Sequence, residues 1–154
     1  MDIAVRPLRA GDAAAVAAIH SEACRIAYRF MNWDHALADV EHWIETERMS
    51  AWDWGLVAEG GGAPVAYAAM TGAHLDHLFV TPAAQGQGIG AMLLMRALDR
   101  GLLPLTLNVF EDNVPARRFY ERHGFGERER WFNEWDGAVE LRYALAGQNA
   151  AFTP

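Results

Sequence analysis

Residues 78–94 read Leu-Phe-Val-Thr-Pro-Ala-Ala-Gln-Gly-Gln-Gly-Ile-Gly-Ala-Met-Leu-Leu. An apolar strand runs into a turn with glycine at 86, 88 and 90, and that turn becomes the start of an apolar helix. The first amides of a helix have no intrahelical acceptor and point outward. The helix dipole adds partial positive charge at the same place. Glycine permits the unusual backbone angles and the close approach that a bound anion requires. The segment therefore predicts a strand–turn–helix unit built to hold a pyrophosphate.

The rest of the chain supplies the other layers. Ile3 to Leu8 reads as a strand, and Asp12 as the cap of a helix with Val16, Ile19, Ala23 and Ile26 on one face. Asp34 is a second cap, ahead of Leu37, Val40 and Ile44 in a helix reaching about Met49. Trp54 to Ala58 and Ala63 to Met70 form a hairpin around Glu59-Gly60-Gly61-Gly62. His74 to Val80 is a third strand, closed by Pro82. After the glycine-rich helix come a strand at 104–110, a helix at 113–123 and a final strand pair at 125–131 and 138–145. The order β-α-α-β-β-β-α-β-α-β-β predicts one α/β domain over residues 1–146, a mixed sheet with helices packed on it. Residues 147–154 read as a tail.

The glycines alone leave the nucleotide open. Gly86, Gly88 and Ala91 meet a relaxed dinucleotide spacing, but that loop normally follows the first strand of a long doubly wound sheet. A Walker loop is excluded, because the chain has no Lys. Gln85-x-x-Gly88-x-Gly90 instead resembles the acetyl-CoA motif of the Gcn5-related N-acetyltransferase (GNAT) superfamily. Asn113-Val-Pro-Ala-Arg-Arg-Phe-Tyr120-Glu-Arg-His-Gly124-Phe125 resembles that family's second large motif, Asn-x-x-Ala-x-x-x-Tyr-x-x-x-Gly-Phe. The resemblance runs from about residue 3 to residue 145.

The resemblance implies a mostly antiparallel sheet with one splayed parallel pair, and acetyl-CoA as co-substrate. The pantetheine arm would pair with the backbone of Leu78, Phe79 and Val80. The amides of Gly86, Gln87, Gly88, Ile89, Gly90 and Ala91 would take the pyrophosphate, with Gln85 at the entry and Asn113 on the pantetheine arm. Relatives often carry a basic residue inside this loop; here Gln85 and Gln87 stand there. Arg117, Arg118 or Arg122 then become candidates for the adenosine phosphate. Tyr120 would protonate the departing thiolate. His74-Leu75-Asp76 is similar to the His-x-His strand of one family member, which makes His74 the candidate base, with Asp76 to orient it or to take the proton through water. Strict alternation puts 74 and 76 on one side of the strand and 77 on the other. Asn108 cannot be a base. No metal is implied.

Thirteen basic and 20 acidic residues give a formal net charge of −7. That disfavours a nucleic-acid binder and favours a cationic acceptor. The acceptor groove implied by the resemblance would draw on Tyr28, Phe30, Trp33, Asp34, Asp39, Glu41, Trp43 and Glu45. The final turn would add Trp131, Phe132, Glu134, Trp135 and Asp136. Cys24 is the sole cysteine, so no internal disulfide or cysteine metal cluster can form. No signal-peptide core and no long apolar run is present, so the expected compartment is the cytoplasm, without a membrane partner. A homodimer is compatible with this reading. The expected function is transfer of an acetyl group to a primary amine of a small molecule or peptide, by direct attack in a ternary complex. The alternatives are a catalytically silent acyl-CoA sensor on the same fold and a nucleotide-dependent oxidoreductase.

Overall fold

The computed structural model describes residues 2–145; the tail expected at 147–154 lies outside them. Seven strands form one sheet in the order β1-β2-β3-β4-β5-β7-β6. They are β1 (Ile3–Pro7), β2 (Trp54–Gly60), β3 (Ala63–Thr71), β4 (His74–Val80), β5 (Leu105–Phe110), β6 (Gly126–Asn133) and β7 (Ala138–Leu145). The helices are α1 (Ala13–Ala27), α2 (Leu37–Trp43), α3 (Ile89–Leu98) and α4 (Val114–Arg122). This is the expected order of elements. Every strand pair is antiparallel except β4–β5.

Each face of the sheet has its own core. On one, α3 and α4 set Leu93, Leu94 and Tyr120 against Ala66, Ala68, Leu105, Leu107, Leu141 and Tyr143. On the other, α1 and α2 set Val16, Ile19, Val40 and Ile44 against Val57, Tyr67 and Ala69. Fully burying an aliphatic side chain contributes about 1.5–3 kcal/mol, so these two layers hold the sheet between them. α1 and α2 pack mainly over β2–β4. On the same face of β5, β7 and β6 the α1 side contributes Tyr28 and Phe30, which pack on Phe110.

The expected caps are not used. Asp12 precedes α1, but its carboxylate makes no cap bond. It takes two bonds from Arg6, at 2.9 and 2.7 Å, and one from Arg9 N–H at 2.7 Å. The carboxylate is thus taken up by the Arg6 guanidinium and by the amide that opens the short 3-10 turn Ala10–Asp12. The guanidinium also holds the Asp12 carboxyl below its ordinary pKa. α2 starts at an extended Ala36, not at Asp34, and continues into one π-helical turn over Ile44–Arg48.

Candidate active site

The site begins where the sheet opens. β3 and β4 stay paired as far as Ala66 opposite Val80. β4 and β5 pair only through His74–Thr106 and Leu75–Leu107, and then diverge. Leu78, Phe79 and Val80 therefore have a strand on one side and none on the other. Unpaired strand groups are a template for an added extended chain.

A cleft of about 830 Å³ occupies the gap. Its floor is Leu78, Phe79 and Val80, and its far wall is Asn113, Ala116, Phe119 and Tyr120 from α4. One end is the glycine-rich turn. Gly86 and Gly88 have φ of 81° and 79°, in the left-handed region, and a Cβ added at either would meet nothing within 4 Å. They are glycine for the sake of the backbone, and their surface stays open. The first bond into α3 runs from Met92 N–H to Gly88 C=O. The amides of Ile89, Gly90 and Ala91 thus lie ahead of the helical ladder. Gly90 is helical, and its Cβ would sit 3.7 Å from Phe119, an ordinary contact. Gln85 donates from Nε2 to Val80 C=O at 3.0 Å, which ties the turn back to β4. Gln87 is exposed and stands outside the cleft lining.

Other expected site residues are redistributed. Asn113 lines the cleft, but its Oδ1 already accepts Ala116 N–H as the cap of α4. Arg117 is committed elsewhere: Nε donates to Tyr143 Oη at 3.0 Å and Nη1 to Glu111 C=O at 3.1 Å. Arg122 does line the cleft, joined by Arg29 from the short 3-10 turn after α1, which no sequence motif singles out. Ile26 is nearly half exposed and faces the cleft, so the apolar stripe of α1 outruns the core it covers. Burial raises the Tyr120 phenol above its ordinary pKa, keeping the proton on it at neutral pH. Cys24 is buried and its thiol is likewise pushed up, the profile of an inert core thiol.

Past the cleft, one face of β5, β7 and β6 carries rows of side chains set by register. His74 stands beside Thr106, Asn108 beside Arg142, and Phe110 beside Glu140, which faces Trp131 in turn. The rings of Tyr28 and Phe30 pack edge-on against Phe110 at 5.3 and 5.9 Å, which puts these rows on the α1 side. Arg142 lies 5.7 Å over Trp131 and donates to Asn108 Oδ1 at 3.3 Å. Glu140 accepts from Asn133 at 2.9 Å. His74 is half-buried with Nδ1 2.7 Å from Thr106 Oγ1, and burial lowers its pKa. Asp76 accepts from Thr71 Oγ1 at 2.6 Å. Of the remaining groove candidates, Phe132 and Trp135 are exposed on the β6–β7 hairpin, Trp135 almost completely. Trp33 and Trp43 pack against the second core.

The alternation argument fails at one point. The β3–β4 register slips between Ala69 and Met70, with His77 opposite Ala69 and Leu75 opposite Met70. Asp76 is the extra residue of a bulge, which flips the phase of the rest of β4. His77 therefore shares the face of His74. It packs among Trp43, Trp52, Tyr67 and Phe79, with ring centroids 5.1–5.8 Å away.

The acetyltransferase (GNAT) family model matches residues 16–125. The chain belongs to that family. The peptidyl-lysine N-acetyltransferase YjaB of Salmonella typhimurium is 49% identical over 63 residues, 40% of this chain and 42% of that protein. This chain thus aligns with under half the length of that relative. The solution structure of apo YjaB from Escherichia coli superposes with a TM-score of 0.78 at 27% identity, covering 96% of this chain and 99% of that one. YncA from Salmonella typhimurium, solved with acetyl-CoA, shares the fold: TM-score 0.69, 20% identity, 97% and 96% coverage. No helix among the described residues is long and apolar enough to cross a membrane.

Proposed function

We propose that this GNAT-family chain is an N-acetyltransferase that moves the acetyl group of acetyl-CoA to a cationic primary amine by direct attack. The observation that carries the reading is the continuity of the cleft. It leads from the open amides after Gly86 and Gly88, along the unpaired half of β4, to Tyr120. The turn offers the pyrophosphate backbone donors and a dipole, and the unpaired edge offers the pantetheine arm a strand to extend. Arg29 and Arg122 at the cleft rim can meet further phosphate charge.

The reaction turns an ammonium and a thioester into an amide, a thiol and one released proton. Tyr120 lines the cleft as a protonated phenol, and in this reading it gives its proton to the departing sulfur. The ammonium loses one proton to solvent before the nitrogen can attack, and the nitrogen sheds a second as the amide forms. His74, neutral at pH 7, sits on the face past the cleft with Nδ1 bound to Thr106 and can take that proton through water, with the Asp76 charge beside it. Glu140, between Phe110 and Trp131 on the same face, supports a cationic acceptor in this reading by offering it a carboxylate. The YjaB relatives are named for lysine in peptides, and a lysine side chain is such an amine.

The silent-sensor reading shares the cleft but has no use for Tyr120 in its wall, which favours the enzyme. The test is calorimetry with acetyl-CoA and with NAD, followed by thiol release from acetyl-CoA. The acceptors are a polyamine, an aminoglycoside, a lysine peptide and an acidic peptide, at low and high salt. Expected are tight acetyl-CoA binding, negligible NAD binding, and turnover on the cationic acceptors that falls with salt. NAD binding in place of acetyl-CoA sinks the family chemistry. Binding without turnover on any amine leaves the sensor. Best activity on the acidic peptide refutes the cationic acceptor alone.

A further inference from the structure

Beside the cleft, α1, β3 and β4 are joined by a chain of three side chains that the proposed chemistry does not use. His20 Nδ1 lies 2.9 Å from Tyr67 Oη, and the same Oη lies 2.8 Å from His77 Nδ1. Tyr67 is fully buried and His20 nearly so. A phenol has one proton, so it donates to one imidazole and accepts from the Nδ1–H of the other. With all three groups uncharged, both hydrogen bonds at the phenol oxygen are satisfied, and the ring that accepts at Nδ1 carries its own hydrogen on Nε2. Burial holds both rings in that neutral state, with His20 lowered to about 4 and His77 well below its ordinary value.

Polar groups in an apolar layer cost stability unless all are satisfied. Aliphatic residues would fill the same space without that risk. What the polar chain adds is direction: two hydrogen bonds at one oxygen fix where α1 and β4 stand relative to β3. The three rings also converge on one neighbour. Phe79 lies 4.8 Å from His20, 5.5 Å from His77 and 5.9 Å from Tyr67, measured between centroids. Phe79 is part of the cleft floor, in the stretch of β4 that has lost its β5 partner just after the bulge at Asp76.

We propose that His20, Tyr67 and His77 are positioning residues that fix Phe79 and the unpaired half of β4 for the pantetheine arm. This rests on the acetyl-CoA reading above. A strand with a ladder on one side only must otherwise be ordered by the ligand, and that ordering is taken out of the affinity. The chain orders it in advance from the face that the ligand does not occupy.

The experiment compares Tyr67→Phe, His77→Asn and His77→Leu with the wild-type protein. Acetyl-CoA and adenosine 3′,5′-bisphosphate, which lacks the arm, serve as ligands. Tyr67→Phe removes one oxygen and leaves both imidazoles without their partner. Its Kd and KM for acetyl-CoA should rise about tenfold with kcat changed by less than about twofold, and bisphosphate affinity should be unchanged. His77→Asn, whose amide can stand in for Nδ1, should keep wild-type affinity for acetyl-CoA. His77→Leu should behave as Tyr67→Phe does. A Tyr67→Phe variant that melts earlier but binds acetyl-CoA as well as wild type overturns the proposal. So does a loss shared equally by both ligands. If Tyr67→Phe does not fold, equal acetyl-CoA affinities for His77→Asn and His77→Leu overturn it instead. A wild-type protein that binds no acetyl-CoA overturns the functional reading and this proposal with it. An unaltered variant beside a binding wild type removes only the positioning role.

Discussion

The cofactor cleft and the face proposed to take the acceptor meet at β4 but are made of different material. What the cleft offers the cofactor is mostly backbone: left-handed glycines, helix-start amides and an unpaired strand edge. The acceptor face is all side chains, His74, Asn108, Arg142, Glu140 and Trp131, drawn from four strands and aligned by register. Backbone function is written in consecutive residues, because a turn and a helix start are local events. Side-chain function depends on which residues stand opposite one another, and that is a property of the folded sheet. One site can therefore be half legible in its sequence and half not.

The sharpest test of this contrast is the one side chain in the cleft proposed to take part in the chemistry. Tyr120→Phe removes a hydroxyl and almost no volume. If the cleft binds through backbone and reacts through this phenol, kcat should fall about 10²- to 10⁴-fold, the range for losing a general acid. Acetyl-CoA affinity should hardly move. Steady-state kinetics beside calorimetry separate the two, and a variant with full turnover takes Tyr120 out of the mechanism.

Two glycines test the backbone half itself. At Gly88 a side chain has space but the φ of 79° resists one, costing about 1–2 kcal/mol of strain, and any side chain there covers the amides. Gly88→Val should weaken acetyl-CoA binding about 10- to 100-fold in a protein that still folds. At Gly90 the backbone is helical and the added methyl makes an ordinary contact, so Gly90→Ala should bind nearly as wild type does. Equal losses at both positions would mean that bulk in the turn matters and its conformation does not.

The two halves were unequally readable for identifiable reasons. The order of elements followed from periodicity and glycine stops, and the cleft from 17 consecutive residues. The phase of β4 did not, because His-Leu-Asp-His-Leu-Phe-Val fits an alternation with or without a bulge. Only pairing with β3 puts the extra residue at Asp76 and turns His77 toward Tyr67. The chain from His20 to His77 spans residues 20, 67 and 77 and left no local mark. Asp12 looked like a cap because local rules cannot see Arg6 arriving from β1. Arg117 looked free to meet phosphate because Tyr143 and Glu111 lie on other elements.

The smallest effect belongs to the acceptor face, where His74 is one of several routes by which a proton can leave. Its pKa is lowered by burial, so it is unprotonated, and able to act as a base, at all pH values above a point below 6.5. The amine titrates as well, near 10, so kcat/KM for a lysine-type acceptor rises with unit slope across the neutral range through substrate ionisation alone. In the wild-type protein, log kcat/KM should steepen to a slope of two below the His74 pKa, where enzyme and substrate must each lose a proton. His74→Ala should lower kcat/KM across the neutral range about three- to tenfold, since water can still take the proton. It should also keep unit slope down to the lowest pH at which the protein is folded. That floor has a cause of its own. His20 is depressed to about 4 when folded against 6.5 when unfolded, so its contribution is complete above 6.5 and drains away as pH falls toward 4. The loss is about 2 kcal/mol by pH 5, and far-ultraviolet circular dichroism at each pH shows whether the chain is still native. A slope of two that survives in His74→Ala, in protein shown to be folded, would assign the second proton to another group and leave His74 as a neighbour of the reaction.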